Sequence, residues 1–197
     1  MDTSLFNQLQ TIIRQRRTVS VALMNGQPIP NEQVQQLLEL ADWAPTHGRT
    51  EPWRFLVYHK ESLQQFAQAH ADLYWQHTPQ ENRDQNKYDK LLQTAGRASH
   101  LIIAIMQRGD KPNIPVLEEV AATAAAIEHI LLGAAALGIS AIWNTGGMTH
   151  HPAMKEHLQL GAEDVVMGLI YLGKTNSAPR PGHRLVPLEE KVKWVKF

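Results

Sequence analysis

Arg16-Arg17-Thr18, followed further along by Ala44-Pro45-Thr46-His47 and Glu51-Pro52-Trp53-Arg54-Phe55, is the stretch on which the reading of this sequence turns. Two adjacent arginines and a hydroxyl precede a proline-punctuated loop that feeds a strand. A guanidinium fork matches phosphate geometry, and the hydroxyl of Thr18 adds a short contact. Together they suit an anionic group carried on a flat apolar ring. By spacing alone an arginine pair is more often a solvated face, so the weight falls on what surrounds it.

On the N-terminal side, Phe6, Leu9, Ile12 and Ile13 recur at helical spacing and predict a helix with one apolar face. It delivers Arg16 and Arg17 at its C-terminal end, where cations suit the dipole. Asn25-Gly26, Pro28 and Pro30 mark a loop, and Asn31 is the expected N-cap of a second helix through Leu37, Leu38, Leu40 and Ala41. That helix has to stop before Pro45. On the C-terminal side, 54–59 reads as a strand and 72–97 as a polar stretch in which Tyr74, Trp75 and Tyr88 are scattered. The continuous apolar run 101–106 is expected to be a strand covered on both faces. Further strands are expected over 140–144 and 165–172, with a short helix near 154–158 between them.

The alanine-rich segment 117–139 has the length of a membrane span. Glu118, Glu119, Glu128 and His129 within it would be costly in lipid, so it reads as a buried helix of a soluble protein. Being apolar almost all round, it needs cover on every side, more than so short a chain supplies, and a second subunit is the natural source. The tail from Asn176 onward carries apolar residues without an obvious place to pack. It either wraps a partner or folds back on its own subunit.

The 197 residues fit one domain, 1–197, with a core large enough to need no covalent staple. Nineteen basic residues balance nineteen acidic ones, so no global field favours nucleic acid or an anionic membrane. Without cysteine there is no disulfide, zinc–thiolate site or thiol chemistry. The N-terminus lacks the pattern of a signal peptide, and the cytoplasm is the expected compartment. His150 and His151 are adjacent and diverge, so no metal is expected. Neither G-x-G-x-x-G nor G-x-S-x-G occurs, and Gly173-Lys174-Thr175 is only the tail of a P-loop.

Five features fall in one order: Arg-Arg-Thr after the first helix, Ala-Pro-x-x-x running into x-Pro-Trp-x-Phe, the alanine-rich helix, Gly138-Ile-Ser-Ala-Ile-Trp-Asn-Thr-Gly-Gly147, and Gly168-Leu-Ile-Tyr-Leu-Gly173. In that order and spacing the chain resembles the FMN-dependent nitroreductase family, and within it the small YdjA-like members. The resemblance implies an α+β sandwich around a mostly antiparallel sheet, built as a homodimer whose C-terminal segment extends onto the partner. It also implies FMN as cofactor and NAD(P)H as co-substrate, with hydride passing through flavin N5 to a small-molecule oxidant such as a nitroaromatic or quinone. No protein side chain is then expected as acid or nucleophile.

By the same resemblance Arg16 contacts the FMN phosphate, and Arg17 and Thr18 hold the ribityl chain and ring edge. His47 approaches from the other subunit, Trp43 stands where relatives often place a flavin-contacting arginine, and Arg184 returns to the phosphate in competition with Lys174 and Arg180. The backbone of Trp143, Asn144, Thr145 and Gly146 lies against the ring. Two departures stand out. Ser20 occupies a place where many members carry a further cation, and Glu51 replaces the usual glutamine before Pro-Trp. A flavin-binding or flavin-sequestering protein without turnover, and a different flavin reaction on the same fold, are the alternatives.

Overall fold

The computed structural model describes residues 3–178 and 180–195. Its framework is a four-stranded, wholly antiparallel sheet built from β1 (Trp53–His59), β2 (His100–Met106), β3 (Ser140–Asn144) and β4 (Val165–Gly173), in the order β1-β2-β4-β3. Along β2 the side chains alternate between two cores, as a period of two requires. Ile102, Ala104 and Met106 join Ile170 and Leu172 on one face. Leu101, Ile103 and Ile105 join Leu169 and Tyr171 on the other. Every residue of β2 is buried, which accounts for the unbroken apolar run in the sequence. The predicted strands lie within the observed ones, which extend them by at most a residue at an end.

Helices cover both faces. α1 (Thr3–Gln15) comes first, then α2 (Asn31–Asp42), α3 (Lys60–His77), α4 (Gln85–Arg97), α5 (Val116–Ala136) and α6 (Pro152–His157). α2 and α5 pack over the first core, α3, α4 and α6 over the second. The polar stretch 72–97 therefore resolves into the end of α3, a short turn and α4, with Trp75 and Tyr88 meeting edge to face at 5.6 Å. α2 and α5 approach closely because α5 is lined with small residues. A Cβ on Gly133 would stand 2.8 Å from methyl carbons of both Leu37 and Leu40. Asn31 does not cap α2. Pro30 holds the cap position, and the Asn31 amide oxygen is instead hydrogen-bonded to His100 Nε2 at 3.0 Å.

α5 was expected to be apolar all round and covered all round, and within one chain only half of that holds. Ala122, Ala126, Ile127, Ile130 and Ala134 are buried, whereas Leu117 is 76% exposed and Ala121 and Ala136 also face outward. Length and composition alone would let this helix cross a membrane. Here it packs on the sheet, and its Glu119 is part of a buried polar cluster.

That cluster ties β2, α5 and β4 together. The Arg108 guanidinium pairs with Glu119, itself 1% exposed, and donates to Ile114 O at 2.8 Å. Gly109 N–H donates to Glu119 Oε1 at 3.2 Å, and Arg108 N–H to Asp164 Oδ1 at 2.8 Å. Glu119 is thus satisfied on both oxygens, the condition under which a buried charge is tolerated.

A register shift in the β2–β4 ladder leaves Met167 unpaired between Val166 and Gly168. Such a bulge frees a carbonyl, and the indole N–H of Trp143 donates to Met167 O at 2.8 Å. The indole lies so close to the strand that a Cβ on Gly168 would come within 2.2 Å of its nitrogen.

Replacing Glu119 by alanine strands the Arg108 charge in a nearly dry site. The expected destabilisation is about 3–5 kcal/mol, read as a lower urea midpoint. In a double variant that also replaces Arg108 by methionine, the loss is expected to be smaller than in the single one.

Candidate functional site

The arginine pair reaches the sheet through its backbone. Arg16 N–H still bonds Ile12 O at the end of α1, so both guanidiniums leave from the helix C-terminus. Thr18 then pairs in parallel with Ala141, and Val19 N–H donates to Ala141 O at 3.0 Å. Segment 16–18 is thereby a short rung on the outer edge of β3, beside the strand that ends in Trp143 and Asn144.

The two arginines are not equivalent. Arg16 Nε stands 3.6 Å from Glu128 of α5, both side chains partly in water. So loose a pair contributes little and leaves the fork open to an anion. Arg17 is already engaged: Nη1 donates to Arg14 O at 2.6 Å and Arg16 O at 2.7 Å, and Nε to Arg180 O at 3.0 Å. A Cβ on Gly182 would lie 2.2 Å from Arg17 Nη2. Arg17 clamps the end of α1 to the tail.

Beyond β3 the chain makes a tight turn over residues 144–149. Asn144 Oδ1 accepts Gly146 N–H at 3.0 Å, a local turn typical of asparagine. The buried Thr149 donates its hydroxyl to Gly146 O at 2.6 Å. Gly147 has φ +67°, a left-handed conformation, and a Cβ there would fall 2.6 Å from His70 Nε2. Met148 N–H donates to that same nitrogen at 2.9 Å. Thr145, Gly146 and Gly147 are exposed, so the outer side of the turn is a strip of accessible backbone with no Cβ at two successive positions. The Trp143 ring is held by Met167 and Gly168.

His70 did not emerge from the motifs, although its signal is present: Leu63, Phe66, Ala67, His70, Ala71 and Tyr74 form the buried stripe of α3. It is 2% exposed. Burial, and secondarily the charge of His157, lowers its pKa to about 4. At neutral pH the ring is uncharged, with Nε2 the acceptor and the proton on Nδ1.

The remaining predicted residues lie elsewhere. Trp43 ends α2 and is 85% exposed. His47 Nδ1 pairs with Glu118 in the first turn of α5, and Lys111 Nζ donates to Gly48 O. Arg49 and Glu51, neither a glycine, have φ of 55° and 44° in this loop, conformations that persist only where surrounding contacts impose them. Glu118 and Glu128 are ten positions apart, about 15 Å of helix, so one chain does not place His47 beside Arg16. Arg184 lies in the exposed tail and bonds its neighbour's carbonyl, His183 O, at 3.2 Å. Lys174 bonds Gly138 O at 3.3 Å. Ser20 Oγ accepts Ala22 N–H at 3.4 Å and caps the turn Val21–Leu23. Among the described residues, no three His, Asp or Glu side chains are grouped to hold a metal.

This fold and order of elements have known counterparts. The profile of the Nitroreductase family matches residues 13–174. The Escherichia coli (strain K12) protein named "Putative NAD(P)H nitroreductase YdjA" is 26% identical over 166 residues, 84% of this chain and 86% of that protein. The crystal structure of a nitroreductase-like family protein from Bacillus cereus superposes with a TM-score of 0.83 at 23% identity over 96% of each chain. The FMN-dependent nitroreductase NfnB from Mycobacterium smegmatis, crystallised with NADPH, gives a TM-score of 0.75 at 15% identity over 98% of this chain and 100% of its own. With its sheet, its Arg-Arg-Thr rung and its Gly-Gly turn all inside the matched region, the chain belongs to the nitroreductase family.

Proposed function

We propose that this chain is a cytoplasmic, homodimeric FMN-dependent oxidoreductase that draws on NAD(P)H and reduces a nitroaromatic, quinone or similar small acceptor. The observation that carries the reading is the pairing of segment 16–18 with β3, the strand that runs on into the glycine turn. A loosely paired cation at Arg16 and a Cβ-free strip of backbone at Gly146 and Gly147 suit a phosphate at one end and a flat ring at the other. The relatives' names and the NADPH and FMN of NfnB agree with it.

Bound FMN supplies hydride chemistry at N5. The protein's share is binding and orientation. Arg16 meets the phosphate, and Thr18 and the edge of β3 border the ribityl chain. The exposed backbone at Thr145, Gly146 and Gly147 gives the ring a surface to lie against, with the Gly146 N–H held by Asn144 Oδ1 to fix the shape of the turn. Arg17 contributes by fixing the tail against α1.

A dimer is supported by apolar surface that one chain leaves bare. α1 has no buried residue and exposes Leu5, Phe6, Leu9 and Ile13. Leu117 on α5, and Leu185, Leu188, Trp194 and Val195 in the tail, are exposed as well. Apolar side chains exposed in such number along one helix and in the tail mark surface that a partner covers. In a two-fold assembly His47, remote from Arg16 of its own chain, becomes available to the other subunit's site, and Trp43 with it.

The purified protein is expected to be yellow, with FMN and not FAD on chromatography of the released cofactor, and NAD(P)H is expected to bleach it without oxygen. Bound flavin that NAD(P)H leaves oxidised would favour a binding protein without turnover. Arg16→Ala is expected to weaken FMN binding by about 1.5–3 kcal/mol, measured by flavin fluorescence titration. Sedimentation is expected to show one species of twice the chain mass. Leu117→Glu, at a position exposed within the single chain, is expected to shift it toward monomer and to lower FMN occupancy. An unaffected dimer would remove this face of α5 from the interface.

A further inference from the structure

Beneath the turn that carries Gly146 and Gly147 lies one imidazole. Met148 N–H points at His70 Nε2 from 2.9 Å. Gly147 stands over the same ring in a left-handed conformation, with no room for a Cβ. The ring is almost wholly inaccessible and packs against Phe66, centroids 5.7 Å apart. Leu91 of α4 closes the side next to Gly147. From α6, His157 is the titratable group whose charge acts on it.

We infer that His70 is a positioning residue for the cofactor: as a neutral acceptor it holds the turn at Gly147 and Met148 in one shape, and a proton on the ring releases that turn. The inference rests on the FMN reading above, since the exposed face of this turn is the strip assigned to the flavin. A protonated ring would bring two N–H donors face to face across 2.9 Å in a buried place, where an unsatisfied donor is expensive. Ring and turn then have to part. Once the turn opens, the imidazole meets water and regains the affinity of an ordinary histidine, near pH 6.5. Open states therefore take up a proton between about pH 6.5 and 4 that the closed state refuses, and acid favours opening. From pH 7.5 to 5.0 this linkage raises the open fraction by about thirtyfold.

Amide hydrogen exchange of the cofactor-free protein reads this directly. Protection at Met148 is expected to fall tenfold or more from pH 7.5 to 5.0, after correction for intrinsic exchange, while Leu101 in β2 stays protected. In His70→Gln, whose amide oxygen accepts but does not titrate, Met148 is expected to hold its protection within about threefold over the same range. In the FMN-loaded protein at pH 7.5, His70→Leu is expected to bind FMN at least tenfold more weakly and to shift its midpoint potential, and His70→Gln to restore both. The inference is overturned if Met148 follows the same pH profile in wild type and His70→Gln, or if the leucine variant keeps affinity and potential. Should the leucine variant not fold, the exchange profiles of the other two decide. A wild-type protein that binds no FMN would overturn the oxidoreductase reading and this inference with it, an outcome distinct from FMN bound equally by all three proteins.

Discussion

β2 and β4 have helices over both faces and a paired strand on both sides, so chemistry in this fold is confined to strand ends and sheet edges. The rest of the arrangement follows from that confinement. β1 and β3 are the outer strands, and the chain occupies the free edge of β3 itself, with Thr18 against Ala141. Just past the end of β3 comes the glycine turn. Arg16 and Thr18 are carried along that edge, and the exposed backbone of Thr145, Gly146 and Gly147 follows at the end of the same strand.

Supporting groups make up the rest of the site. The Met167 bulge turns a ladder carbonyl into the acceptor for Trp143. His70 does the same for Met148 from the opposite core. Each is a polar contact at least partly shielded from water, and a directional contact of that kind helps to specify one shape. Arg108 and Glu119 play the corresponding part just past the C-terminal end of β2, at the same end of the sheet.

Strands were legible from the sequence because their apolar runs are short, continuous and bounded by turn residues, and 101–106 announced its double burial directly. The glycine turn and the arginine pair were legible through their residue types. The division of labour between Arg16 and Arg17 was not, because it depends on which guanidinium the tail reaches, a contact spanning 163 positions. His70 was hidden for a related reason. A histidine in a helical stripe has no local mark that distinguishes core filler from a turn anchor until the turn it meets is known. Asn31 misled because its side chain is taken by His100 from a distant strand, and a local capping rule cannot foresee a competing acceptor or donor.

The bond from Arg17 to Arg180 also sets an order of events during synthesis. The arginine leaves the ribosome early and its partner carbonyl 163 residues later. At 5–20 residues per second the interval is roughly 8 to 33 seconds. During that time Glu128 and Ala141 are made and β4 is completed at Gly173, so the other partners of segment 16–18 precede the tail contact. The clamp that Arg17 makes on the tail is therefore the last of the contacts around segment 16–18 that a nascent chain is able to form.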